Sequence, residues 1–107
     1  MAYAFNDDKS KATVKYSLIK ECASDITILA GSIEILEFSF SHSIIGVSTL
    51  RHTTWTNVDD KIVVLGYEVD PTDDEKLNVY IKNVSDTDAT IGPNSAENIM
   101  AGIVYLA

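Results

Sequence analysis

The segment from Arg51 to Asn57, RHTTWTN, carries the chain's single arginine and its single tryptophan. An aromatic face can stack on a sugar or ligand ring, and the hydrogen-bonding side chains around it can fix the ligand's orientation. We therefore take Trp55, Arg51, His52 and Asn57 as candidate ligand-binding residues. The alternative is that Trp55 caps the end of a hydrophobic core, because tryptophan side chains are highly buried on average.

The acidic segment from Asp70 to Glu75, DPTDDE, is the candidate metal site. Calcium takes six to eight hard oxygen ligands, and clustered carboxylates on one loop can supply several of them. The candidate ligands are Asp70, Asp73, Asp74 and Glu75. Their spacing differs from that of an EF-hand loop, which places ligands at alternate positions around a central glycine. The alternative is a solvated acidic turn without a metal.

Residue patterns typical of catalysis are absent from the sequence. The two histidines, His42 and His52, belong to no HxH or HExxH motif, and no GxSxG or glycine-rich phosphate-binding motif occurs. The single cysteine, Cys22, has no partner for a disulfide or a CxxC motif. Acidic residues around Cys22 are expected to hold up its thiol pKa, which disfavours a nucleophile. We therefore expect a protein that is not an enzyme and that uses no cofactor.

The charge of the chain narrows the class of partner. Eight Lys and Arg residues stand against sixteen Asp and Glu residues, which gives a net charge of −8. The lysines are scattered, whereas nucleic-acid binding needs clustered cations. No apolar run approaches the ~20 residues of a membrane helix. We expect neither nucleic-acid binding nor membrane insertion.

Two short sequence features bear on the cellular compartment in which the protein is made. Residues 1–9 contain neither a basic nor an apolar signal region, so we expect synthesis in a cytoplasm without a signal peptide. Asn83-Val84-Ser85 matches the glycosylation sequon. We interpret this match as a chance occurrence, since no secretory signal accompanies it.

The hydrophobic pattern predicts an all-β protein. Apolar residues alternate with period two and are rich in β-branched and aromatic types, which is typical of strands. Seven or eight short strands separated by turns, in a chain of 107 residues, predict one antiparallel β-sandwich of jelly-roll-like type. We expect this domain to span residues 12–107. Residues 1–11 are expected to form an N-terminal arm that is unpaired or exchanged with a neighbour.

Several local expectations follow from the same pattern. The apolar alternation changes face between Ile35 and Leu36, which predicts a β-bulge at that point. Gly46 is expected to mark a bend. Val63, Leu65, Tyr67 and Val69 are expected to share one strand face. The segment 51–60 is expected to be irregular, and the segment 95–100 is compatible with one helical turn.

Two segments carry a family resemblance. The first, DITILAGSIEILEFSF (25–40), contains an AGS turn that leads into a strand with alternating aromatics. The second, LNVYIKNVSDTDATIG (77–92), contains a VxIKN strand followed by a polar turn, and a closing strand ends the chain. Together they resemble the small jelly-roll-like β-sandwich modules of bacteriophage tail-fibre, head-fibre and baseplate proteins.

The resemblance implies a non-enzymatic structural or receptor-binding component of a bacteriophage or prophage particle, in a tail fibre, a baseplate or a capsid decoration. It implies a homo-oligomer, with a trimer favoured, and a virion location after synthesis in the host cytoplasm. The implied partners are other virion proteins, or a host-surface glycan or protein. The alternative function is a bacterial carbohydrate- or ligand-binding β-sandwich module that uses the loop around Trp55.

Overall fold

The computed structural model describes residues 15–54, 61–95 and 97–106. These residues form eight strands and no helix, and every strand pair is antiparallel. The predicted all-β class and the predicted number of strands are therefore confirmed for this part of the chain. The strands are β1 Lys15–Glu21, β2 Ile26–Ile28, β3 Ile33–Ser39, β4 Ile44–Thr54, β5 Ile62–Val69, β6 Lys76–Asn83, β7 Ala89–Ile91 and β8 Glu97–Leu106.

The first three strands pair with the last three in nested order. Strand β1 pairs with β8, β2 with β7 and β3 with β6. The two halves of the chain therefore form one long antiparallel ribbon. Strand β4 adds to the other edge of β8, and β5 adds to the other edge of β6. The result is a three-stranded sheet β1-β8-β4, a three-stranded sheet β3-β6-β5 and the short ribbon β2-β7 between them.

One hydrophobic core lies against the inner faces of these sheets. Strand β6 shows the pattern most clearly, because its residues alternate between half-buried and buried along its whole length. On β8, Ile99, Ala101 and Ile103 face the core and are fully buried. The buried apolar residues are Cys22, Ile28, Leu36, Phe38, Phe40, Ile44, Ile62, Leu77, Val79, Ile81, Ala89, Ile91, Ile99, Ala101 and Ile103.

The predicted bulge between Ile35 and Leu36 is wrong. Strand β3 keeps an unbroken register against β6 through both residues. The alternation changes because Ile33 and Ile35 are apolar residues on the outer face, each 55% exposed, whereas Leu36 and Phe38 face the core. Register shifts occur instead on β4, beside Gly46 and between Val47 and Thr49. The bend expected at Gly46 thus coincides with an observed irregularity.

Strand β5 corrects another expectation. A register shift between Val64 and Gly66 changes the face that the following residues present. Val63 pairs with Lys82 on the outer face, whereas Tyr67 and Val69 pair with the core-facing residues Val79 and Leu77 of β6. The four apolar residues from Val63 to Val69 therefore do not share a face. The pattern could not show this, because a bulge adds one residue and reverses the alternation.

The expected irregular segment and helical turn are also corrected. Strand β4 continues to Thr54, so the beginning of segment 51–60 is a strand, while residues 55–60 lie outside the described residues. Glu97 starts β8, and residues 97–100 pair with β4. The predicted N-terminal arm, residues 1–11, also lies outside the described residues.

The fully buried side chain of Asn83 holds together the corner between the sheets. Its Nδ2 donates to the carbonyl oxygens of Ile28 and Thr87, at 2.9 and 2.8 Å. Its Oδ1 accepts from the backbone N–H of Ser85 at 2.9 Å and from the Ser85 hydroxyl at 2.7 Å. The Asn83 backbone adds bonds to Gly31 and Ser32. The sequon at this position therefore belongs to a buried, fully bonded asparagine, which is inaccessible to glycosylation in the folded protein.

The backbone of Gly92 lies very close to the backbone of the β1–β2 connection. Gly92 has φ +140°, and a Cβ at this position would lie 2.5 Å from Oδ1 of Asp25 and 2.8 Å from the carbonyl oxygen of Ser24. Only glycine fits this backbone without displacing its neighbours. The contact allows the end of β7 to pack tightly against the start of β2.

We expect Asn83→Asp to lower the free energy of unfolding by about 3 kcal/mol, because the buried carboxylate would lose both donors and face two carbonyl oxygens. Urea unfolding followed by circular dichroism measures the loss. The control is Asn94→Asp on an exposed turn, for which a change within about 0.5 kcal/mol is expected. Equal losses in the two variants would contradict the anchoring role of Asn83.

Candidate functional site

The end of β4 carries two of the four predicted ligand-binding residues. Arg51 is exposed and pairs with Met100, and His52 is half-buried and pairs with Ile99. Because paired residues share a sheet face and Ile99 lies in the core, His52 points inward and Arg51 points outward. Trp55 and Asn57 lie outside the described residues. The grouping of these four residues stays a prediction.

His52 has a neighbour that the sequence did not indicate. Its Nε2 lies 3.5 Å from Oε1 of Glu97, and the two side chains are only 15% and 4% exposed. Among the residues that the structure describes, neither of these two atoms has a hydrogen-bond partner. Glu97 is 45 positions further along the chain, so only the β4–β8 register brings the two together. The available sequence signal was the alternation of Glu97, Ile99 and Ala101, which places Glu97 on the core side.

A buried carboxylate without a full set of hydrogen bonds is unfavourable in a folded protein. Most buried polar atoms are bonded, and the exceptions are often associated with function or strain. The His52–Glu97 pair can exchange hydrogen bonds with each other or with a polar group brought to the end of β4. The pair therefore has atoms that can form further hydrogen bonds, and its His52 lies on β4 within the predicted ligand-binding segment.

The acidic turn uses its carboxylates in local hydrogen bonds. Oδ1 of Asp70 accepts from the backbone N–H and the hydroxyl of Thr72, at 2.9 and 2.8 Å, and Oδ2 accepts from the Asn78 amide at 3.2 Å. The Thr72 bonds, followed by that from Asn78, lower the pKa of Asp70. Asp73 accepts from the backbone N–H of Glu75 at 3.0 Å.

The same turn fastens the β3–β4 connection. The hydroxyl of Ser43 donates to Asp74 at 2.8 Å. The backbone N–H groups of Phe40 and Ile44 donate to the carbonyl oxygens of Glu75 and Asp74. Across the described residues, no group of three or more His, Cys, Asp or Glu side chains is arranged to hold a metal ion. These contacts account for the turn as a structural element, and the calcium site stays a prediction.

Cys22 behaves as a core residue. It is 6% exposed, and its thiol lies 3.3 Å from the carbonyl oxygen of Ser24. Burial raises the pKa of the Cys22 thiol, and the negative charge of Asp25 raises it further. The direction agrees with the sequence-based expectation, although burial rather than charge is the main cause. The thiol is poorly suited to nucleophilic attack.

The outer face of the β3-β6-β5 sheet carries several exposed apolar side chains. We call it the apolar face and define it by Ile33 and Ile35 on β3 and Val63 and Leu65 on β5. These side chains are exposed by 55%, 55%, 38% and 53%. They flank Tyr80 on β6, whose hydroxyl donates to Glu68 at 2.7 Å and whose pKa is raised by that bond. Lys82 on β6 pairs with both Ile33 and Val63 and so lies between them on this face. Exposed apolar side chains gathered on one sheet face are typical of surfaces that contact other molecules.

A groove separates the edge strands β1 and β3. It has a volume of about 350 Å³ and runs between residues 20–26 on one side and Ile35–Ser39 on the other. Leu36, Phe38 and Cys22 form its apolar floor and are nearly fully buried. At one end, Nζ of Lys20 donates to the carbonyl oxygen of Ser39 and lies 5.6 Å from the centre of the Phe40 ring.

No protein-family model, no curated protein and no solved structure matches this chain. Within the described residues, no helix is long and apolar enough to cross a membrane. The function must therefore be argued from the surfaces and side chains described above.

We expect Glu97→Gln to raise the free energy of unfolding by about 1 kcal/mol at pH 7, because a neutral amide replaces a buried, incompletely bonded carboxylate and can donate to His52. Chemical denaturation measures the change. Glu21→Gln is the control, since Glu21 is exposed. A loss of more than about 1 kcal/mol would instead show that His52 and Glu97 form a stabilising ion pair.

Proposed function

We propose that this chain is a non-enzymatic structural or receptor-binding component of a bacteriophage or prophage particle, in a tail fibre, a baseplate or a capsid decoration. It acts as a homo-oligomer, with a trimer favoured, and has other virion proteins or a host-surface glycan or protein as partners. It is made in the host cytoplasm and carried in the virion. The observation that carries the proposal is the apolar face, which fits a protein that is covered in an assembly.

The edge strands of the two large sheets are poorly suited to pairing with a strand of another molecule. This favours contact between molecules through sheet faces. Strand β4 has two register shifts and β5 has one, and bulges of this kind discourage strand pairing at an edge. The other two edge strands carry inward-facing charged residues. Lys20 on β1 and Glu34 on β3 pair with the core residues Ala101 and Ile81, respectively. Such charges are also a known protection of edge strands.

The strand pairing supports the jelly-roll-like part of the proposal. A jelly roll is a long antiparallel ribbon folded into two sheets, and the pairs β1–β8, β2–β7 and β3–β6 form such a ribbon here. The two large sheets then make the layers of a sandwich. Strand β4 pairs with β8 and β5 pairs with β6, so among the described residues β4 and β5 do not form the fourth nested pair of a complete jelly roll.

The segments that carry the phage resemblance lie beside each other in the fold. The AGS turn, Ala30 to Ser32, connects β2 to β3, and the VxIKN motif ends β6. Gly31 has φ +74° and donates its backbone N–H to the carbonyl oxygen of Asn83. The turn and the motif are therefore parts of one structural corner, which favours their being a linked signature rather than two unrelated patterns.

We expect light scattering coupled to size exclusion to give a mass near three times 11.7 kDa for the full chain, independent of concentration. Ile33→Lys should lower this mass towards that of one chain, because a charge is placed in the middle of a covered apolar surface. Ile19→Lys is a matched control, since Ile19 is 52% exposed and lies on β1 in the other large sheet. A monomeric wild-type protein would contradict the proposal.

A ligand-binding module centred on the segment 51–57 is the second candidate. It is favoured by the unused bonding capacity of the His52–Glu97 pair at the end of β4. A carbohydrate would suit these residues, since hydroxyl groups both donate and accept hydrogen bonds while an aromatic ring stacks on the sugar. Arg51 is exposed at the same strand end.

For this candidate we expect Trp55→Ala to abolish binding on a glycan array while the circular dichroism spectrum stays unchanged. Tyr67→Ala removes an aromatic side chain that is 51% exposed elsewhere, and it should leave binding intact. Unchanged affinity in the Trp55 variant would rule out this site.

A further inference from the structure

Strand β5 has two large side chains on its core side that the opposite sheet does not cover. Tyr67 and Val69 pair with Val79 and Leu77 of β6, which are fully buried. Paired residues share a sheet face, yet Tyr67 and Val69 are 51% and 37% exposed. The sheet β1-β8-β4 therefore covers β6 but not this end of β5. We call Tyr67 and Val69 the edge patch.

Carboxylates border the edge patch at its Val69 end. The acidic turn, residues 70–75, follows Val69 directly in the chain. Its three aspartates accept hydrogen bonds. The carboxylate of Glu75 is exposed and has no partner among the residues that the structure describes. The neighbouring cation, Lys76, already lies 3.4 Å from Glu37. This end of the edge patch is therefore anionic.

The apolar face carries cations at one of its ends. Lys82 lies between Ile33 and Val63, and no carboxylate of the described part of the chain lies within ion-pair distance of its ammonium group. Lys61 lies two residues before Val63, and its Nζ donates to the hydroxyl of Thr87 at 2.9 Å. In a chain with a net charge of −8, an unpaired lysine among exposed apolar side chains favours a partner with a carboxylate.

The other end of the same sheet face is acidic, but its carboxylates are already bonded. Glu37 on β3 and Glu68 on β5 pair with one residue of β6, four positions before Lys82. Glu37 forms an ion pair with Lys76, and Glu68 accepts the hydroxyl of Tyr80. The counter-charge that Lys82 lacks must therefore come from outside this face.

The apolar face and the edge patch match in spacing as well as in charge. Ile35 and Ile33 are two residues apart on β3, and Tyr67 and Val69 are two residues apart on β5, which is about 7 Å in each strand. Lys82 is level with Ile33, and the acidic turn lies beyond Val69. When the edge patch packs along Ile35 and Ile33 in this order, its carboxylates come to Lys82.

We propose that the apolar face of one copy packs against the edge patch of a second copy, with Lys82 opposite Glu75. The proposal rests on the homo-oligomer of the proposed function and names the contact that joins its subunits. A second copy is the occupant because this one chain supplies both matching surfaces. Each copy uses each surface once, so the contact is heterologous and can close a ring of three. The contact is made by side chains and needs no added strand.

The solution mass of the full chain tests the edge patch. Tyr67→Lys should lower the mass from that of three chains towards that of one, 11.7 kDa, because it places a charge in an apolar contact close to Lys82. Ile19→Lys is the matched control on the other large sheet, and it should keep the wild-type mass. Circular dichroism checks that both variants are folded. An unchanged mass in folded Tyr67→Lys, with an oligomeric wild type, would overturn the contact.

An exchange of charges tests the predicted orientation without altering an apolar side chain. Lys82→Glu and Glu75→Lys should each lower the mass, because like charges would then meet. The variant that carries both changes should regain the wild-type mass, because the ion pair is restored in reverse. The control combines Lys82→Glu with Glu21→Lys, an exposed position on β1, and has the same net charge. It should stay dissociated.

The remaining outcomes count against the contact in different ways. Single variants that keep the wild-type mass, or a double variant that stays dissociated, would show that Lys82 and Glu75 do not meet. Equal recovery in the control would show that only net charge matters.

The wild-type mass separates failure of this contact from failure of the proposed function. A monomeric wild type contradicts the homo-oligomer itself. An oligomer that Ile33→Lys dissociates and Tyr67→Lys does not would retain the proposed function, and it would show that the apolar face meets a surface other than the edge patch.

Discussion

The side chain of Asn83 is the interaction on which the rest of the fold depends. It is fully buried, and its two donors and its acceptor oxygen are all bonded, to Ile28, Thr87 and Ser85. These partners lie where the antiparallel ribbon passes from one large sheet to the other. A buried polar network of this kind stabilises only when every member is bonded, and it then specifies one arrangement. Asn83 thereby fixes the geometry of the two sheets around the core.

Much of the strand content could be predicted because alternation depends only on local sequence. The expected seven or eight short strands agree with the eight strands of the described residues. The face of an exposed apolar residue was harder to predict. Ile33 and Ile35 look like core residues in the sequence, although both lie on the outer face. The bulge in β5 was hidden for the same reason, since both faces of that strand are apolar.

The candidate site was predictable only in part, because its members come from distant strands. Arg51 and His52 lie together at a strand end, as their sequence neighbourhood suggested. Glu97 was missed because its proximity to His52 follows from the β4–β8 register, which no local pattern specifies. The acidic turn was recognised as a cluster of oxygen ligands, yet its contacts to Thr72, Asn78 and Ser43 are hydrogen bonds that hold the chain.

Two sets of buried polar groups, Asn83 and the His52–Glu97 pair, differ in how completely they are hydrogen-bonded. Asn83 is completely bonded, so its burial is explained by the fold alone. Glu97 is almost as well buried and His52 is half-buried, yet within the described part of the chain each has an atom without a hydrogen-bond partner. In native proteins, buried polar atoms without hydrogen bonds are expected at functional sites, because binding or catalysis can require a locally less stable arrangement. This contrast places the strongest candidate for recognition by side-chain chemistry at the end of β4, while the apolar face and the edge patch provide surfaces suited to assembly.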